Sequence, residues 1–139
     1  MHFRKDGNVY CLRLQKGQEI VESLTQFLKE EYIRAGFITG IGATDDVTIG
    51  YYDASHRTYV KEDLKEAFEI LGLNGNITIV DDAPFTHLHI MLGNEEFKVM
   101  GGHLFRAVVS LTAEIFITAV DMNIERKFDS ETGLKTMNI

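Results

Sequence analysis

Hydrophobic and polar positions along the chain follow two different periods. In "VYCLRL" (9–14) strand-forming residues alternate, so Val9, Cys11 and Arg13 share one face. In "KGQEIVESLTQFLKEEYIRAG" (16–36) the period lengthens: Ile20, Leu24, Phe27 or Leu28, and Tyr32 recur every three or four residues. That spacing predicts an amphipathic helix whose outer face carries Glu22, Gln26, Lys29 and Glu30. Arg34 and Gly36 supply a stop, a cation for the C-terminal dipole and a residue that tolerates a left-handed cap.

Beyond this point the pattern is that of strands. "GFITGIGATDDVTIGYYD" (36–53) predicts two short ones around Gly40 and Gly42. "RTYVK" (57–61), "AFEIL" (67–71) and "NITIV" (76–80) follow, with "NGN" (74–76) as a tight turn between the last two. "DDAPF" (81–85) interrupts at the only proline, "THLHIML" (86–92) is the next strand, and "GNEE" turns it. "KVMGGHLFRAVVS" and "TAEIFITAVDM" predict two more, and the polar tail from Asn123, with "SETG" as a turn, reads as partly loose. Strands that follow one another through short connections pair antiparallel. The expected fold is α+β: one domain over 1–139, a mainly antiparallel sheet with one major helix flanking a face.

Composition narrows the function classes. With 139 residues, 45% of them hydrophobic, the chain fits one domain with a proper core. A net charge of −7 argues against sequence-independent binding to nucleic acid, which needs a surplus of Lys and Arg facing phosphates. Local basic patches remain, at Arg4 with Lys5, Arg57 with Lys61 and Lys65, and Arg126 with Lys127, each of which also reads as solvated surface charge. Cys11 is the only cysteine, so it makes no disulfide within the chain and is expected to pack as a small hydrophobe. No stretch has the apolar length of a signal peptide or a membrane span. A reducing, cytoplasmic setting and no membrane partner are therefore expected.

The candidate chemistry lies in "HLHIMLGNEEFKVMGGH". On a strand His87, His89 and Met91 point one way and Leu88, Ile90 and Leu92 the other, the aliphatic face being the core face. The two imidazoles lie about 6–7 Å apart along the backbone, and they can tilt onto one ion that takes nitrogens at about 2.0–2.1 Å. His103 joins from the next strand, because "GNEE" turns the chain back and Gly101 and Gly102 permit close backbone approach. Three neutral imidazoles suit Zn²⁺ or another divalent first-row metal and leave a coordination position open. Structural, hydrogen-bonded histidines are the alternative. Glu114, acidic within the apolar strand "TAEIF", reads as a ligand, a group that orients a ligating histidine, a general base, or a salt-bridge partner of Arg13 or Arg106. Dinucleotide, P-loop and nucleophile-elbow motifs are absent from the sequence.

Taken together and in order, "LRLQKGQEIVESL", "GFITGIGATDDVTIGYYD", "FEILGLNGNI", "HLHIML", "GGHL", "TAEIFI" and "RKFDSETGL" resemble the PPC domain (plants and prokaryotes conserved), in its free-standing prokaryotic form. The resemblance implies an antiparallel sheet with a flanking helix, a homotrimer, and a DNA-binding label inherited from plant relatives that join the domain to AT-hooks. No R-G-R-P hook occurs here, and Glu66 and Ala67 stand where the plant pattern has Gly-Arg. The fold group is also similar to acetolactate decarboxylase, which holds zinc with an H-x-H pair and a later histidine; His87, His89 and His103 match that pattern. Three readings follow as expectations: a trimeric regulatory module with a metal site that contacts DNA, a zinc-dependent lyase or hydrolase acting on a small molecule, or a structural trimer without metal whose histidines only pack.

Overall fold

The computed structural model describes residues 1–139. Strand β1 (His2–Asp6) and strand β2 (Val9–Gln15) form a hairpin, and helix α1 (Ile20–Glu30) follows. Five strands come next: β3 (Gly36–Asp53), β4 (Thr58–Leu64), β5 (Phe68–Val80), β6 (Ala83–Gly93) and β7 (Val99–Ala119). A second hairpin, β8 (Arg126–Asp129) and β9 (Leu134–Met137), ends the chain. Every pairing in the main sheet is antiparallel, in the order β1-β2-β7-β6-β5-β3-β4. Because β3 also pairs with β7 from Gly36↔Ala119 to Gly50↔His103, the ladder β7–β6–β5–β3 closes on itself. The result is the expected α+β domain, its sheet coiled into a partial barrel.

Closure explains why three long strands run through points where the pattern predicts breaks. Residues 36–53 form one strand, with register shifts at Gly40/Gly42 and again near Thr44 and Thr48. Such bulges add local twist and bend a strand around a barrel. Glycine inside a strand marks either a turn or a close approach, and at Gly42 it is the second: a Cβ there would collide with the Thr112 carbonyl and lie 2.7 Å from the Ala113 Cα. The "NGN" segment is likewise no turn but the middle of β5, and 99–119 is a single strand rather than two.

The helix packs its apolar stripe, Ile20, Leu24, Phe27 and Leu28, into a 24-residue core shared with β2, β3, β5, β6 and β7. Its N-terminus is capped by Glu19, which accepts from the amides of Val21 (3.0 Å), Glu22 (2.6 Å) and, across the fold, Ala107 (2.8 Å). The helix stops earlier than Arg34 and Gly36 suggest. Tyr32 takes a left-handed conformation (φ 56°) just past the end, its amide donating to Lys29 O (3.3 Å), while the Ile33 amide donates to Leu28 O (2.9 Å). This is a Schellman closure without glycine. It buries Ile33 and leaves Tyr32, expected on the apolar face, 87% exposed. Cys11 also departs from expectation: alternation on β2 sends Tyr10, Leu12 and Leu14 inward, so the thiol is exposed on the outer face with Val9 and Arg13.

Candidate metal centre

Strand β6 divides its side chains as alternation requires. Leu88, Ile90 and Leu92 are buried in the core, and His87 and His89 project from the other face. β7 runs back beside it with His89 and His103 directly paired, because neither Gly101 nor Gly102 has a side chain to hold the strands apart. A Cβ on Gly101 would strike the Ile90 carbonyl, and one on Gly102 would lie 2.7 Å from the Gly50 carbonyl. The three rings meet, with centroids 5.2 Å (His87–His89), 5.1 Å (His87–His103) and 5.6 Å (His89–His103) apart. One ring nitrogen from each lies within 4.8 Å of the others.

A wall of aromatic and cationic groups surrounds the cluster. His103 packs against Phe105 (4.7 Å between centroids) and Tyr59 (5.0 Å). Lys61 Nζ lies 3.9 Å over the Phe105 ring. Arg126, from the C-terminal hairpin, reaches the site from the other side. Its Nε donates to Thr78 Oγ1 (2.9 Å), Nη1 to the Lys135 carbonyl (2.9 Å) and Nη2 to Asn76 Oδ1 (2.8 Å), and Nη2 lies 3.3 Å from His87 Nδ1. Asn76 is the β5 residue registered opposite His87, so one ladder aligns both.

Burial, reinforced by the neighbouring imidazoles, Lys61 and Arg126, pushes the His103 ring down to about 4. His87 is lowered for the same leading reason, then by Arg126 and His89. Both rings are therefore neutral at neutral pH, the form a metal requires. His103 Nδ1 is buried without a hydrogen-bond partner, a rare and costly state for a polar atom. Residues with this donor set, this spacing and an orphaned nitrogen fit a divalent metal.

Without metal, the same shift sets a pH dependence. An unfolded His103 titrates near 6.5 and the folded ring near 4, so between these values the unfolded chain binds the extra proton. Stability of the metal-free protein is expected to be full above pH 6.5 and to fall as pH drops from 6.5 toward 4. Thermal melts of the metal-free wild type across this window should show that decline, and His103→Ala should flatten it.

Gly75 supports the site from behind. A Cβ there would collide with the His87 carbonyl and approach Leu88 Cδ2 to 2.7 Å. Gly75→Ala is expected to push β6 off β5 at His87, lowering the melting temperature and weakening metal uptake together. A variant that melts and binds like wild type would show that the strand carries no such constraint.

Glu114 does not join this cluster. It is exposed, paired with Arg13 on β2 and Ile41 on β3, eleven residues along β7 from His103. Nor does it pair with Arg106, which binds Asp46 (2.8 Å). Arg126 is the side chain beside the cluster that the sequence pattern misses. Grouped with exposed Lys127, it reads as a surface patch, yet its guanidinium turns inward. The tail that carries it is polar but not loose: Ile79 N donates to Ile124 O (2.8 Å), the Tyr52 hydroxyl to Thr132 O (2.7 Å), and Lys135 pairs with Asp81 (3.1 Å).

The architecture is that of a coiled antiparallel β-domain with three imidazoles gathered at the β6–β7 ladder. The chain belongs to the Plants and Prokaryotes Conserved (PCC) domain family, whose model matches residues 1–121. Among solved structures it is similar to a metal-containing protein from Archaeoglobus fulgidus, with 40% identity, TM-score 0.90, and 100% of this chain and 99% of that one covered. A plant- and prokaryote-conserved protein from Pyrococcus horikoshii is 36% identical with TM-score 0.89, covering 99% and 95%. A protein from Bacteroides thetaiotaomicron, whose name carries a provisional DNA-binding role, is 30% identical with TM-score 0.95, covering 99% and 96%. A Staphylococcus aureus protein similar to α-acetolactate decarboxylase shares the fold alone, at 16% identity and TM-score 0.58 over 83% of this chain and 53% of that one. Among curated proteins the chain matches the bifunctional protein GlmU of a Synechococcus strain at 29% identity. The match covers 94% of the chain but only 20% of that relative's length.

Proposed function

We propose that the chain is a metal-binding PCC-domain protein, holding Zn²⁺ or another divalent first-row ion through His87, His89 and His103 and assembling as a homotrimer. The observation that carries the metal reading is that one ring nitrogen from each of the three histidines lies within 4.8 Å of the others, on rings that include the buried, unpartnered Nδ1 of His103. The Archaeoglobus relative, called metal-containing, supports it. Elemental analysis of the purified protein tests it directly: one metal per chain is expected, and a metal-free protein that takes up none on addition of zinc overturns it. A single free thiol suits the cytoplasmic setting proposed with it.

Trimer formation draws support from an exposed apolar patch on the outer face of the barrel. Ile41, Leu71 and Leu111 line one shallow depression, and Phe116 continues it past Ile41 and Glu114. Such patches on a small domain mark interaction surfaces.

Between the two functional classes, the pocket favours small-molecule chemistry over DNA. Zinc on three imidazoles supplies Lewis acidity toward a carbonyl or a water. The chain's own contribution would be a site walled by Tyr59 and Phe105 and oriented by Arg126. The DNA role named for relatives finds little support in a net charge of −7 and a guanidinium turned inward. A gel-mobility shift at physiological salt would restore it.

A further inference from the structure

Beside the histidines lies a cavity of about 430 Å³, within the range that takes small ligands. Half of its twelve lining residues are hydrophobic, among them Tyr59, Phe85, Phe105 and Leu134. Arg126 and Lys135 line it too, and no Asp or Glu does. Lys135 is already paired with Asp81, whereas Arg126 faces no carboxylate. A guanidinium half-enclosed by apolar surface, with no counter-ion, calls for an anion.

The donors of Arg126 say when that anion enters. A guanidinium has five N–H groups. Three are spent on Thr78, Lys135 and Asn76, and a fourth points toward His87 Nδ1. An imidazole that ligates a metal through one nitrogen carries its proton on the other. Whichever nitrogen His87 gives to the ion, Nδ1 then has no free lone pair, and the 3.3 Å contact loses its acceptor. Metal loading therefore leaves Arg126 with unpaired donors inside an apolar pocket that has gained positive charge.

We propose that this pocket binds a small carboxylic acid, its carboxylate received by Arg126 and its apolar part by the aromatic wall, and that metal and acid reinforce each other's binding. The inference rests on the metal site proposed above. The apolar wall favours a short-chain organic acid over a bare inorganic anion. Arg126 stands on β8 of the C-terminal hairpin, outside the family match to residues 1–121.

Butyrate and its neutral isostere butyramide test the proposal by calorimetric titration into zinc-loaded and metal-free protein. Butyrate is expected to bind the zinc-loaded form and at least about tenfold more weakly to the metal-free form, to zinc-loaded Arg126→Gln, or when replaced by butyramide. Saturating butyrate should tighten zinc binding by the same factor that zinc tightens butyrate. Equal binding of butyrate and butyramide, a comparison that needs no variant, overturns the proposal, as does equal binding to wild type and Arg126→Gln. A wild type that takes up zinc and ignores butyrate defeats the acid site alone; one that takes up no zinc defeats both readings.

Discussion

Replacing His103 with alanine is expected to abolish stoichiometric metal binding. The ring is one of three nitrogen donors, and the other two come from the neighbouring strand, so its loss leaves a two-ligand site. Removing even a residue that only orients a ligand costs about 10–100-fold in metal affinity. Losing a ligand should therefore cost more than about a hundredfold. His89→Ala is expected to do the same. The fold should survive, since the substitution deletes the unpartnered nitrogen along with the ring and leaves the aliphatic core face of β6 intact. His56→Ala is the control: that histidine is exposed, bonded to Asp53 (2.6 Å), and outside the cluster. Metal content measured on the three variants beside wild type checks the prediction, and an unchanged content in His103→Ala would falsify the site.

Placing a carboxylate in the apolar patch should dissociate the proposed trimer. Ile41 is 59% exposed and Leu111 70%, and both line the same depression on the barrel's outer face. If three copies bury this surface, Ile41→Asp or Leu111→Asp puts an unpaired charge where Glu69 and Glu114 already stand. Burying an uncompensated ion costs several kcal/mol, and each 1.4 kcal/mol is about tenfold in an association constant. With a chain mass of 15.8 kDa, light scattering should move from about three times that value to the monomer. Because both side chains already face solvent within one chain, the monomer's own fold should hold. A wild type that scatters as a monomer, or a variant that stays trimeric, rejects this patch as the contact.

The contrast between what was readable and what was not follows the range of the forces. Period-2 alternation on β2 and β6 and the 3.6-residue stripe of α1 are local, and they correctly sort Leu88 from His87 and Leu24 from Glu22. The three histidines were legible for the same reason, since alternation and one turn between adjacent strands suffice to bring them together. Strand ends were not legible: glycine has the same local signature in a turn as in a bulge, and closure of the ladder between β3 and β7 decides which it is. Helix termination was also misplaced, because the buried partner of Leu28 is Ile33, and only core packing makes a left-handed Tyr32 worth its strain.

The amino-acid order alone determined the fold class, the core faces of α1 and β6 up to Leu28 and Leu92, and the histidine triad, because each depends on neighbours within one or two elements. Tertiary structure alone decided that Arg126 belongs to the triad's pocket and Glu114 does not. Arg126 is 39 residues from His87 and meets it only because the final hairpin folds over the β5–β6 ladder. Glu114 shares a strand with His103 but faces different neighbours, since a strand that bends around a barrel carries its two ends to different surfaces.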